Sequence, residues 1–379
     1  MTAPHRSTIH ILGLGAMGTV LAVDLLRFTN ALVVPLFRSQ ERLAQFQKTN
    51  GNNISIRKLY LEGSPIFSYP VEKCECPETF SKKPIDNLVV TTKTYQTKEA
   101  LAPYLPYINK NTNLILIQNG LGVLELLREE IFTDSKNRPH LFQGVISHGV
   151  YQDKAGVFNH AGWAGMKIAK LPWTEEEMIQ KKSVVEDDAA NNSLVKLLTE
   201  PKFAKEFGIE HSTYQEMLFG QLFKFLVNAC MNPVTAILDC VNGEMKASCG
   251  PVFTSIIDEC LQILRVAYRP LFQYHEKYSG NEEYPEMDVN AVLTTDNMVS
   301  EVTRIGCDIN SRNSSSMRQD TLFLRDIEIE YINGYVVKLA DNLNLDPNCC
   351  KVNKTIGELA TMRLALNRSR SINGDWRKD

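Results

Sequence analysis

An α/β fold in two parts is what the sequence predicts: a mixed α/β domain at residues 1–210 and an all-helical domain at 211–379. Three observations predict it. The chain opens on strand, glycine turn and helix; further apolar strands each run into polar residues; and from about His211 the texture becomes helical and poor in glycine. At 379 residues the chain exceeds the usual size of a single core, so two domains are expected.

The first element is "STIHILGLGAMGTVLAVDLLRF" (Ser7–Phe28). Ile9, Ile11 and Leu12 form a strand, Val20 to Leu26 an apolar helix, and Gly13, Gly15 and Gly18 supply G-x-G-x-x-G between them. The first glycine permits a tight turn, the second lets a pyrophosphate approach the backbone, and the third lets helix and strand pack closely. In this strand–helix context the motif predicts a Rossmann-type dinucleotide site, with Leu14, Ala16 and Met17 in the same cofactor-binding turn. A merely tight βα turn is the competing reading.

The next strand, "ALVVPLFR", ends at Arg38, where an NAD site usually carries an acid for the ribose hydroxyls. An arginine followed by Ser39 suits a 2′-phosphate instead, so NADP(H) is favoured over NAD, against the alternative of a solvated surface arginine. "NLVVTTKTYQ" (Asn87–Gln96) and "NLILIQNGLG" (Asn113–Gly122) are strands that end at Thr91, Thr92, Lys93 and at Gln118, Asn119. Ligands of open parallel sheets sit beyond the carboxyl ends of strands, which puts Lys93 and Asn119 on the cofactor rim; capping a following helix is the plainer alternative. Phe142–Ala169 reads as further strands, and the charged stretch Trp173–Ser193 as a surface excursion. His148 and His160 are expected to be satisfied structural histidines.

Composition narrows the class. Hydrophobic residues make up 44% and charged residues 22%, as in an ordinary soluble enzyme, and a net charge of -3 gives no reason to expect nucleic acid or anionic membrane as partner. No run approaches a membrane span, and "MTAPHRST" has no apolar leader core. The nine cysteines lack metal-site spacing, so reduced thiols in a cytoplasmic protein and no metal site are expected.

In the helical half, "FKFLVNACMNPVTAI" (Phe223–Ile237) is apolar before Pro233 except at Lys224, Asn228 and Asn232, an i, i+4, i+8 stripe on one helical face. Such a stripe is either the solvent side of an amphipathic helix or a wet line on a buried one. In the second case the lysine can have a lowered pKa and move a proton near neutral pH. Glu276–Asn290 reads as a polar loop.

Taken in order, "GLGAMG", "FRS", "TTKTYQ", "QNGLG", "KFLVNACMNPVTAILDCVNGE", "SSSMRQD" and "EIEYINGY" resemble the ketopantoate reductase (2-dehydropantoate 2-reductase) family, in a fungal form. The resemblance implies a Rossmann-type domain and a helical domain like the C-terminal part of 6-phosphogluconate dehydrogenase. It implies NADPH-dependent reduction of a small keto acid, 2-dehydropantoate, to pantoate on the route to pantothenate and coenzyme A. By motif, Lys224 matches the catalytic lysine and Glu328 the active-site glutamate, which is also counted among the cofactor contacts. Asn119, Asn228 and Asn232 match the family's asparagines, Ser316 its substrate-binding serine, and Arg38, Lys93 and Asn119 its cofactor contacts. Lys224 would then be the general acid, Ser316 would hold the carboxylate and Glu328 the distal hydroxyl, with Asp326 capping the helix that begins near Glu328. A homodimer is among the assemblies open to it. The alternatives are an NADP-dependent reductase of another 2-keto or 3-keto acid, or a catalytically silent NADP-binding sensor, which could lose Lys224 and Glu328 freely.

Overall fold

The structure is a computed structural model that describes residues 6–118, 121–153 and 157–374. The chain divides into two compact units: Met1–Asn119 with Val123–Met217, and Gly120–Gly122 with Leu218–Asp379.

Among the described residues the first unit holds eleven strands: β1 (Thr8–Leu12), β2 (Leu32–Leu36), β3 (Asn53–Lys58), β4 (Ile66–Pro70), β5 (Asn87–Val90), β6 (Asn113–Ile117), β7 (His140–Ile146), β8 (Gly149–Gln152), β9 (Phe158–Gly162), β10 (Met166–Lys170) and β11 (Ile209–His211). Seven form one sheet in the order β11-β10-β7-β6-β5-β1-β2. From β2 to β7 neighbours are parallel, with Ile9 opposite Val33 and Ile115 opposite Phe142. β10 runs antiparallel to β7, and β11 parallel to β10. β1, β5 and β6 are near-continuous apolar runs because both faces of a parallel sheet are covered. The chain goes from β1 outward to β2 and then returns past it to β5, so the carboxyl ends of β1 and β5 flank the switch point where such sheets bind ligands.

The order β4-β3-β9-β8 gives a second sheet that the sequence did not announce. It packs on helix α1 (Ala16–Phe28), which the first sheet covers from the other side. That explains why α1 is apolar around nearly its whole circumference, from Val20 to Leu25. Asp24 on α1 is buried in this layer and meets Lys58 of β3. His148 is a satisfied structural histidine: Nε2–H donates to the Phe207 carbonyl at 3.1 Å, and Nδ1 accepts from Ala164 and Gly165 N–H. His160 departs from expectation. It is fully buried against the rings of Tyr60 and His148, and neither ring nitrogen has a well-formed hydrogen bond among the described residues, the Gly162 backbone offering only a weak one. Burial pulls its pKa down to about 3, so it is neutral at physiological pH. Helix α2 (Gln40–Asn50) follows β2, and the charged excursion becomes the mostly exposed helix α3 (Lys182–Asn191), pinned by Asp188 to Lys170 at 2.9 Å.

The second unit is helical: α4 (Tyr214–Leu238), whose first residues belong to the first unit, α5 (Gly250–Ala267), α6 (Ser316–Leu322), α7 (Asn333–Asn342) and α8 (Lys351–Ile372). Its buried apolar residues include Leu222, Leu226 and Ala229 of α4, Phe253, Ile256, Cys260 and Leu264 of α5, Val336 of α7 and Ala360 of α8. The apolar stretch before Pro233 belongs to a helix that runs through the proline to Leu238. Between Glu276 and Asn290 the expected loop is only partly loop, since a helix over Tyr274–Tyr278 enters it and a short one over Val289–Val292 closes it. Among the described residues no helix is long and apolar enough to cross a membrane.

Candidate active site

In the first unit the site begins where β1 ends. Gly13 takes φ +106°, a conformation that side chains rarely adopt. A β-carbon at Gly18 would lie 1.9 Å from the Gly13 carbonyl oxygen and 2.6 Å from Thr91 Oγ1, so only glycine lets α1 pass this close. Gly15 differs. A β-carbon there would meet nothing within 4 Å, and Gly15 stands at the N-terminus of α1 with no side chain capping it. The two closed glycines therefore build the turn, while the open one leaves backbone N–H groups and free space for a diphosphate. A dinucleotide cofactor fits these residues.

Thr91, at the end of β5, donates its hydroxyl to the Gly13 carbonyl and so ties the two strand ends together. Gln118, at the end of β6, donates to the Thr92 carbonyl at 2.8 Å and to Thr97 Oγ1 at 2.7 Å. Both stand at strand ends in the sequence, Thr91 two residues before Lys93 and Gln118 just before Asn119, and that placement is the only local sign of the bracing role. Lys93 is half-buried at the entrance to the turn Thr94–Gln96. Arg38 is exposed just beyond β2, and Ser39 accepts a hydrogen bond from Arg42 N as the cap of α2, which leaves its own hydroxyl proton free to donate. Leu14 lies in the turn and Ala16 and Met17 open α1, all three partly buried. Asn119 lies outside the described residues.

In the second unit, α4 presents the stripe. Lys224 and Asn228 are half-buried and Asn232 is buried. Burial pulls the Lys224 pKa down to about 8, and the Glu328 carboxylate opposes that shift. Glu328 therefore lies near enough for its charge to act on Lys224, and a solvent-side stripe would show no such desolvation. Glu328 is 6% exposed.

The expected cap at Asp326 is corrected. Asp326 is exposed and pairs with Arg368 of α8 at 2.7 Å, while Glu328 itself opens the turn Ile329–Tyr331. The cause is Leu324, whose φ of +59° reverses the chain after α6 and whose carbonyl Arg368 also binds. Ser316 is the exposed first residue of α6. Its buried neighbour Ser315 caps the helix through Arg318 N and meets Thr235 Oγ1 at 2.7 Å, which stitches the start of α6 to α4 just beyond Asn232.

The family model described as ketopantoate reductase PanE/ApbA matches residues 9–173, and its C-terminal counterpart matches residues 216–363. The chain belongs to the ketopantoate reductase family. A probable 2-dehydropantoate 2-reductase of Schizosaccharomyces pombe is 37% identical over 97% of this chain and 99% of its own length. Among solved structures, a D-mandelate dehydrogenase with NADH and anilino(oxo)acetate has a TM-score of 0.69 at 17% identity, covering 94% of this chain and 98% of that one. A dimeric ketopantoate reductase from Staphylococcus aureus has a TM-score of 0.60 at 18% identity, covering 94% and 99%. Those likenesses establish the fold, a Rossmann-type sheet and a helical part. As a ketopantoate reductase family member the protein is an oxidoreductase.

Proposed function

We propose that the protein reduces 2-dehydropantoate to pantoate with NADPH, a step toward pantothenate and coenzyme A. The observation that carries the reading is Lys224: a half-buried ammonium beside Glu328 with its pKa brought to about 8. An amine so tuned is mostly protonated at neutral pH yet releases its proton readily.

NADPH, when bound, supplies the hydride for the keto carbon. Lys224 donates a proton to the ketone oxygen, and its positive charge stabilises the negative charge that develops there. Asn228 and Asn232 hold the polar ends of the keto acid from the same helical face, with Asn119 assigned to the same task by motif. Ser316 takes the carboxylate and Glu328 accepts from the distal hydroxyl, and by motif Glu328 is also counted among the cofactor contacts. Gly13 to Gly18 cradle the diphosphate, with Arg38 on the 2′-phosphate and Lys93 on the cofactor rim. Residues 1–210 then serve the cofactor and 211–379 the substrate. A cytoplasmic homodimer completes the reading, supported by the dimeric S. aureus relative in fold.

The test is NADPH oxidation by the purified protein with 2-dehydropantoate against a panel of other 2-keto acids. Clear preference for 2-dehydropantoate is expected; equal or better use of acids without a distal hydroxyl would sink the assignment.

A further inference from the structure

The motif that supplies Glu328 also carries Asn333, which the proposed reaction does not use. Asn333 is fully buried at the first position of α7. Pro233 lies inside α4 and has no N–H, so the Ala229 carbonyl four residues earlier is denied its helical partner. Nδ2 of Asn333 donates to that carbonyl at 3.1 Å and to Oδ1 of Asn353 at 3.0 Å. Asn353, also fully buried, donates through its own Nδ2 to the Ile256 carbonyl at 3.2 Å and to Glu259 Oε2 at 2.9 Å. Glu259 in turn accepts the backbone N–H groups of Val352 and Asn353, both at 2.9 Å.

The network ends on two carbonyls and a carboxylate, groups that accept but never donate, so both amides have a single possible orientation. Oδ1 of Asn333 is left without a hydrogen-bond partner among the described residues. A buried amide that tolerates an orphaned oxygen is retained for its donors.

We propose that Asn333 is a positioning residue for the catalytic stripe. By replacing the bond that Pro233 withholds, it pins α4 at Ala229 to the strap that carries Glu328, and so sets the spacing of Lys224 and Glu328. The inference rests on Lys224 being the general acid. Ala229 directly follows Asn228 on α4, and the strap is stiff, with Tyr331 N bonded to the Glu328 carbonyl and Tyr335 N to that of Ile332, both at 3.0 Å. Glu328 is the charged group acting on Lys224, and it holds the proton on against burial. A strap that drifts away lets burial prevail, and the ammonium loses its proton at lower pH.

The experiment compares full-length wild type, Asn333→Ala, Pro233→Ala and the double variant. The readouts are the pH profile of kcat with 2-dehydropantoate, KM for NADPH, and the thermal midpoint. In Asn333→Ala the alkaline limb should move about one unit toward acid, kcat should fall roughly ten- to hundredfold, and KM for NADPH should hold. Pro233→Ala should keep the wild-type profile. The double variant should keep the shifted limb, because an alanine in place of Pro233 supplies an N–H to the Ala229 carbonyl within α4 and restores no tie between α4 and the strap. An unmoved limb in Asn333→Ala, with only the thermal midpoint lowered, overturns the inference. If Asn333→Ala does not fold, the double variant decides: a limb moved toward acid supports the inference, while a wild-type limb or a second failure to fold overturns it. A wild type with no alkaline limb, or one indifferent to Lys224→Ala, would instead strike down the proposed function.

Discussion

Lys58 and Asp24 form a buried ion pair, with Nζ 2.7 and 2.8 Å from the two carboxylate oxygens and both side chains almost wholly inaccessible. Burial pushes the Asp24 carboxyl up even with this partner, so the aspartate depends on the lysine to remain charged. Lys58→Met should therefore cost about 3–5 kcal/mol in denaturant unfolding, by leaving a buried charge unpaired. Lys58→Met with Asp24→Leu should recover most of that loss. A single variant as stable as wild type would show that water reaches the pair.

Gly15 and Gly18 should separate binding from folding. Gly18→Ala drives a β-carbon into the Gly13 carbonyl and should lower stability by roughly 1–3 kcal/mol. Gly15→Ala has free space and an ordinary φ of -75°, so it should unfold like wild type yet bind NADPH at least about tenfold more weakly, the added methyl standing where the diphosphate approaches. Calorimetric titration against NADPH together with denaturant melts reads both. Unchanged NADPH affinity in Gly15→Ala would place the diphosphate elsewhere.

Arg38 is exposed beyond β2 and free of the acid that NAD sites carry there. Arg38→Asp should reduce the NADPH over NADH preference in kcat/KM by about ten- to hundredfold, the worth of a charged hydrogen bond, and mainly through KM. Equal use of both cofactors by the wild type would remove Arg38 from the site.

Lys224 should be needed for turnover and not for cofactor binding. Lys224→Ala should lower kcat by roughly two to four decades, with NADPH affinity nearly intact. Because the amine must be protonated to act and its pKa is lowered to about 8, activity should be full below that pH and lost above it. Glu328→Gln, which withdraws the opposing charge, should carry this limb to lower pH. A limb that rose in Glu328→Gln would mean that Glu328 does not act on Lys224.

How much of this was legible in the sequence depends on how local the cause is. The glycine turn, the strands ending at Thr91 and Gln118 and the stripe at Lys224 follow from spacings within one or two elements, and they were read directly. Three features depend on distant partners and were not. Helix α4 passes Pro233 because Asn333 completes the bonding of Ala229 from another helix. Asp326 loses its capping role because Arg368 of α8 claims it. The second sheet pairs Arg57 of β3 with Asn159 of β9, far apart along the chain, a register that no local periodicity encodes. His160 was misread for a related reason: its missing partners become visible only once Tyr60 and His148 close around it.

The exchange of bonds between Pro233 and Asn333 also constrains the order in which sequence change can proceed. Replacing the proline first adds an N–H that the Ala229 carbonyl can accept, so a later loss of the asparagine no longer strands that carbonyl. Replacing the asparagine first strands a buried carbonyl, and the step meets selection at once. Drift at the two positions is therefore epistatic and directional. A lineage that descends from this sequence therefore loses less stability by shedding the proline before the amide than by the opposite order.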